Sequence, residues 1–227
     1  MPGRRAPEDA RREQILSAAY AVALRTGIAG VTLRAVAAEA GVSHGLLLFH
    51  FKKKEQLVAA LLDRVLATTL MRGLGDGAVP ENGVAGSLPQ PLDRMAAFLR
   101  HELERIASEP RSTRLFFEYW ALGVGHAPIR KKIGAALARY RAAFRSMAEE
   151  ILVADDATRG AASPAPDGLT PDALAAVAVS LINGCAVQMM IDPGNFDTGA
   201  YLAAVQDLVA RRAPPPTTLR AAGRPRR

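Results

Sequence analysis

Cysteine is almost missing from this chain of 227 residues: Cys185 stands alone. That excludes an intramolecular disulfide and a cysteine-rich zinc site. Apolar neighbours mark its thiol as buried and inert rather than redox-sensing, and a reducing cytoplasm fits. Histidine is scarce too. The 4 histidines form no HExxH and leave no carboxylate at ligand spacing from two of them. No phosphate-cradling glycine loop is present, so neither metal nor cofactor is expected. Long charge-free apolar runs are also rare, with one exception at residues 173–191, nearly long enough to cross a bilayer. Ser180, Asn183 and Gln188 interrupt it, and Asp172 and Asp192 flank it where basic anchors belong. It reads as a helix buried between protein surfaces. Arg11 and Arg12 ahead of residues 15–24 imitate a signal peptide loosely, but Glu8, Asp9 and Glu13 acidify the start and Arg25 cuts the run short. The protein is expected to be soluble and cytoplasmic, with no membrane partner.

What is present is apolar bulk, 49% of the residues, and a formal net charge of +7. The first is enough for a sizeable core. The second favours a polyanionic partner, nucleic acid before anionic membrane. Arg220, Arg224, Arg226 and Arg227 supply part of that charge from a proline-rich tail.

Helical periodicity runs throughout, and no strand is expected. Ile15, Ala19, Val22 and Ala23 share one face of a first helix ending near Thr26 and Gly27. Thr32 caps a second helix that Gly41 closes. Ser43 caps a third, and a fourth runs from about Lys54 to Leu70. Residues 73–91 are rich in glycine and proline and read as a flexible connection. Four or five helices follow. The clearest carries Ile129, Ile133, Leu137, Tyr140, Phe144, Met147 and Ile151 at spacings of three and four. A loop at 155–168 leads to Thr170 and Pro171, a cap followed by a proline at the first helical position. That helix stops at Asp192, and a last one is expected from Thr198 to Arg212. The expected domains are 1–55, 56–212 and a disordered basic tail at 213–227.

The informative stretch is LRAVAAEAGVSHGLLLFHFK, residues 33–52. Two short helices cross closely only when a small side chain sits at the contact and the chain reverses sharply between them. Ala37 supplies the first and Gly41 the second, because glycine accepts the positive φ of a tight reversal. Val36, Ala40, Val42 and Leu47 are spaced to bury the inside. Ser43, His44, Gly45, Leu46, Phe49 and His50 are left outside, on a helix short enough for a major groove. Lys52, Lys53 and Lys54 follow, where phosphates would lie.

With its flanks, from Arg11 to about Leu61, this block resembles the TetR family of repressors. The segments FFEYWALGVGHAPIR (116–130) and LINGCAVQMMIDP (181–193) resemble the effector domain of the BetI-like subgroup. The resemblance implies an all-α protein, with an N-terminal three-helix helix-turn-helix domain and a C-terminal helical domain that binds an effector and dimerises. It also implies a ligand-responsive regulator, a repressor, binding a palindromic operator in double-stranded DNA as a homodimer. Carried over by position, Thr32 caps its helix and offers a hydroxyl to a phosphate, and Arg34 reaches a base edge. His44, Gly45 and Leu46 line the groove, and His50 and Lys54 meet phosphates. Phe49 lies against the sugar-phosphate backbone or turns inward as core. The family often has tyrosine where this chain has Leu48, which cannot make that hydroxyl's contact.

Competing readings remain. Gly41-Val42-Ser43-His44-Gly45 matches the G-x-S-x-G nucleophile elbow of a small serine esterase, but that motif needs a strand before it, and AVAAEA is a helix former. A helical adaptor using its basic surface is the other alternative; no enzyme is expected. For the effector, the aromatic residues of the second half suggest a cavity bordered by some of Phe98, Phe116, Trp120, Phe144 and Asn183, and a cation over Trp120 is one option. Residues 173–191 with Leu202, Val205, Leu208 and Val209 are expected to form the dimer interface.

Overall fold

The computed structural model describes residues 8–70, 91–159 and 170–210. Among them are nine helices and no strand: α1 (Glu8–Thr26), α2 (Leu33–Ala40), α3 (His44–His50), α4 (Lys54–Thr69), α5 (Pro91–Ser108), α6 (Pro110–Gly125), α7 (Ala127–Arg159), α8 (Pro171–Ile191) and α9 (Thr198–Ala210). The fold is all-α, as the periodicity indicates. The expected basic tail, the connection over 71–90 and the loop over 160–169 lie outside the described residues. One boundary moves. The loop expected from Asp155 begins later, because 155–159 holds no glycine or proline and α7 continues to Arg159.

The helix ends are fixed by the residues that sequence logic names. The hydroxyls of Thr32, Ser43 and Thr170 accept the N–H of Ala35, Leu46 and Ala173 at 3.1, 3.1 and 3.2 Å. Each satisfies an N–H that the helix itself leaves unbonded, typically worth about 1 kcal/mol. Gly41 ends α2 at φ 62° and ψ 32°, in the left-handed region where a Cβ is costly.

Helices α1, α2 and α3 pack with the start of α4 around Ile15, Ala19, Val22, Val36, Ala37, Leu47, Phe51 and Leu57, all buried. Helices α5 to α8 form the second body, with α7 against α8 as its most extensive packing. Helix α4 belongs to both. Its buried side chains, Leu57 to Leu66, run from the first body into the second, and the buried apolar residues form one connected cluster. Full burial contributes about 1.5–3 kcal/mol per large aliphatic or aromatic side chain, so the two bodies are joined by core as well as by chain.

Helix α8 is long and apolar enough to cross a membrane. It instead turns Ala175, Ala178, Val179, Ile182, Cys185 and Ala186 inward against its neighbours.

Candidate nucleic-acid interface and effector cavity

Helix α3 is seven residues long, about 10 Å at 1.5 Å per residue, and fits a major groove about 12 Å wide. One residue, Leu47, anchors it in the core. The rest of its surface is open: His44 and Gly45 are exposed, Leu46 and His50 are half-buried, and Phe49 is 69% exposed. The inward alternative for Phe49 is thereby settled. Phe51 fills the core instead, with the Arg12 guanidinium 5.0 Å from its ring centre. The Ser43 hydroxyl is occupied as the α3 cap, and helix α2 rather than a strand precedes it. The strand-to-helix turn of a nucleophile elbow is absent from these described residues.

Thr32 and Arg34 are exposed at the start of α2, and Lys52 and Lys53 are exposed beyond α3. Lys54 is half-buried, its Nζ donating to Ala29 O at 3.4 Å. Its charge therefore sits where the α1–α2 turn meets the start of α4. Helix α2 is tied to α1 behind it by two side chains. Gln14 Nε2 donates to Ala40 O at 2.7 Å, satisfying a carbonyl at the end of α2. Arg25 grips Glu39 with two bonds of 3.3 and 2.6 Å. Hydrogen bonding to Arg25 holds the Glu39 carboxyl below its ordinary range.

In the second body, a cavity of about 30 Å³ lies where the end of α4 meets α5, α6, α7 and α8. It has room for one or two waters, and pockets for drug-sized ligands are about tenfold larger. Phe116 and Asn183 line it, whereas Phe98, Phe144 and Trp120 are not among its lining residues. Phe98 and Phe144 meet edge to face at 5.0 Å in the core. Trp120 stacks on Phe117 at 5.7 Å, and Phe117 reaches the cavity.

Sequence reasoning missed the carboxylate behind this wall, whose partners Arg105 and Tyr140 line the cavity. Glu102 is fully buried, and its Oε2 accepts from Tyr140 Oη at 2.8 Å and from Arg105 Nη2 at 2.9 Å. Arg105 Nε reaches Oε1 at 3.3 Å. A lone buried carboxylate is costly, and this one is paired and hydrogen-bonded. Arg105 Nη2 also donates to Thr69 O, the last residue of α4, at 2.8 Å. Burial alone lowers the Arg105 pKa, but its bonds to Glu102 outweigh that and leave it raised. Burial, then the neighbouring Glu102 charge, pushes the Tyr140 phenol well above its ordinary value. The signal was present in the spacing: Glu102 falls on the stripe of Met95, Phe98, Leu99, Leu103 and Ile106, where a charge does not belong unless paired.

Four side chains on α6 and α7 reach back to the first body or to α4. Glu118 Oε2 on α6 accepts from Ile28 N at 2.7 Å, and Arg114 Nη2 donates to Leu24 O at 3.3 Å. Tyr119 Oη donates to Val58 O on α4 at 2.8 Å. Lys132 on α7 bridges Asp63 at 2.6 Å and Ala59 O at 3.2 Å, both on α4.

Residues 15–61 match the family model of bacterial regulatory proteins, tetR family, and residues 91–214 match that of the BetI-type transcriptional repressor C-terminal domain. The chain is similar to an uncharacterised HTH-type transcriptional regulator in the dhlA 5' region of Xanthobacter autotrophicus, 27% identical over 84% of this chain and 85% of that one. The HTH-type transcriptional regulator BetI of Rhizobium meliloti is 24% identical, with 89% of each chain covered. Among solved structures, a regulator from Saccharomonospora viridis in complex with choline has the same fold, with a TM-score of 0.68, 16% identity, and coverage of 90% of this chain and 98% of that one.

Proposed function

From a chain that belongs to the TetR family of bacterial regulatory proteins, with a BetI-type C-terminal domain, we propose a ligand-responsive repressor that binds a palindromic operator as a homodimer. It is a transcriptional regulator, and α3 is its reading helix. The observation that carries this is the combination of a short helix with one buried anchor, a surface open from His44 to His50, and cationic side chains on both flanks. Base edges are read by such side chains, and phosphates by the cations around them. In this reading Thr32, Arg34, His44, Gly45, Leu46, Phe49, His50 and Lys54 meet DNA, and Ser43 acts through the cap it supplies.

The second copy docks on α8 and α9. Support comes from Val177, Leu181, Gly184, Gln188 and Ile191, spaced by four and three along α8 and none of them buried; Val177 is 55% and Ile191 80% exposed. Leu202 and Val205 on α9 are half-buried, and the side chains of Leu208 and Val209 lie outside the described residues.

The cavity beneath α4 is the effector site. A larger ligand seated there presses on the helices around it, and two of these, α4 and α6, carry contacts to the reading head. An effector acts only through its preference for one arrangement. Selection of bound sequences from a random duplex pool tests the reading: a two-fold-related motif with half-sites about one helical turn apart is expected. A pool without such a motif refutes it.

A further inference from the structure

Among the described residues that line the cavity, Arg105 is the one full charge, and it is half used. A guanidinium presents five N–H donors on two flat edges. Its Nε–Nη2 edge is closed by the bidentate grip on Glu102. The second Nη2 hydrogen goes to Thr69 O, and Nη1 donates to no described residue. The Nη1–Nη2 edge, the one that fits a planar oxyanion, is thus held by a single neutral carbonyl. Glu102 cannot leave to meet a cation without giving up both Arg105 and Tyr140, and it is fully buried behind them. The rest of the wall nearby is Phe116, Phe117, Ile106 and Ile182, with the Asn183 amide beside them.

We propose that this cavity takes an amphipathic organic acid, its carboxylate on the Nη1–Nη2 edge of Arg105 and its aromatic or alkyl body against Phe116, Phe117 and Ile182. The proposal rests on the reading of this cavity as the effector site. It also gives that site a way to speak to the reading head. A bidentate carboxylate takes the Nη2 hydrogen now given to Thr69 O. The last carbonyl of α4 then loses its partner while the apolar body wedges the helices apart. Glu102 stays in place throughout and keeps Arg105 charged and oriented, which makes it a positioning residue.

The test compares 3-phenylpropionate, 3-phenylpropanol and 3-phenylpropylamine on the full chain at pH 7, by calorimetry and by the emission of Trp120, the single tryptophan. Arg105→Gln alone strands Glu102 and risks unfolding, so the paired variant Glu102→Gln with Arg105→Gln, of similar volume and no net charge, is carried beside it. Wild type is expected to bind the acid at least about tenfold tighter than the amine or the alcohol, the scale of a charge-assisted bidentate pair. In the paired variant, if folded by circular dichroism, that preference falls to within about twofold; if it is unfolded, Arg105→Lys must lose most of the preference instead, because a point charge does not reproduce the fork. An amine or alcohol that binds as tightly, an acid that does not bind wild type, or a preference that survives these variants overturns the proposal. Operator binding measured in the same samples separates the two claims. DNA binding that persists while the acid fails leaves the regulator reading standing, and an acid that binds without changing operator affinity refutes the link through Thr69.

Discussion

Glu118 Oε2 accepts the backbone N–H of Ile28 at 2.7 Å, across ninety residues of sequence. The bond joins α6 to the turn that leaves α1, one and two residues from where the α6 side chains Phe117 and Phe116 reach the cavity. Positions 116 and 118 are about 200° apart on a helix of 3.6 residues per turn. One side of α6 therefore feels the cavity and the other holds the reading head. In the proposed reading, a shift of α6 imposed by a ligand would reach the α1–α2 turn through this bond.

Removing this strut should be visible locally before it is visible globally. Glu118→Ala is expected to lower stability by about 1–3 kcal/mol, because a part-buried N–H loses a charged acceptor. The Ile28 amide should exchange with solvent distinctly faster, while amides in the centre of α7 change only with global stability. Urea titration and residue-resolved hydrogen exchange check both. Unaltered exchange at Ile28 shows that the strut carries no load.

The two left-handed glycines among the described residues should respond differently to the same change. Gly41 has φ 62° and open space around the site of a Cβ, so Gly41→Ala meets only backbone cost, about 1–2 kcal/mol. Gly27 has φ 72°, and a Cβ there lies 2.8 Å from the Glu118 carboxylate oxygens. Gly27→Ala is expected to cost more than Gly41→Ala and to break the bond to Ile28 as well. Equal midpoints in urea for the two variants contradict that assignment.

Burial pushes the Cys185 thiol up to about 11. At pH 8 its reactive thiolate is then roughly one part in a thousand. Iodoacetamide should label it at least about a hundredfold more slowly than free cysteine, and urea should restore ordinary labelling. Rapid labelling of the folded protein rules out the inert role.

Much of this was legible in the chain, for reasons specific to each place. Thr32, Ser43, Gly41 and Thr170 mark helix ends because capping is a local matter between a side chain and a backbone two or three residues away. The openness of α3 followed from the spacing of Val36, Ala40, Val42 and Leu47, which turns Leu47 of that helix inward. The cavity wall was less legible. Large aromatics pull attention, yet Phe98 and Phe144 pack against each other in the core, while the cavity is lined by Arg105, which Glu102 holds from behind, both residue types ordinarily read as solvated. Only tertiary packing says which of α5's charges is enclosed, although the place of Glu102 on the apolar stripe hints at it. The wiring from α6 to Ile28 is a bond to backbone, and no pattern in the sequence announces it.

The exposed seam of α8 gives an assembly prediction. If Val177, Leu181 and Ile191 meet their symmetry mates, the interface should exceed about 1,200 Å² in total, and light scattering at micromolar concentration should report a dimer. Leu181→Asp places a charge in the seam and is expected to yield a folded monomer that binds the operator weakly, having lost its second reading head. A wild-type monomer, or a dimer untouched by this change, removes α8 from the interface.

The reading head gives the last prediction, and its strength lies in two kinds of contact failing in different ways. Lys54 is expected to meet a phosphate, so Lys54→Ala should weaken binding to every duplex alike and lower the slope of log affinity against log salt by about one unit. His44 opens the groove-sized helix and Arg34 lies on α2; both are exposed, with no role in the core that a change to alanine would disturb. Their loss should therefore leave stability within about 0.5 kcal/mol of wild type. If they touch base edges, each change should cost about 1–3 kcal/mol of operator binding and relax discrimination at particular positions. Lys54→Ala also removes the bond to Ala29 O, so its folding must be checked by thermal unfolding before its affinity is interpreted. Titration of the selected operator and a scrambled duplex across a salt series distinguishes the cases. Variants at His44 and Arg34 that bind both duplexes as wild type does would take sequence reading away from α3, whatever else the protein does.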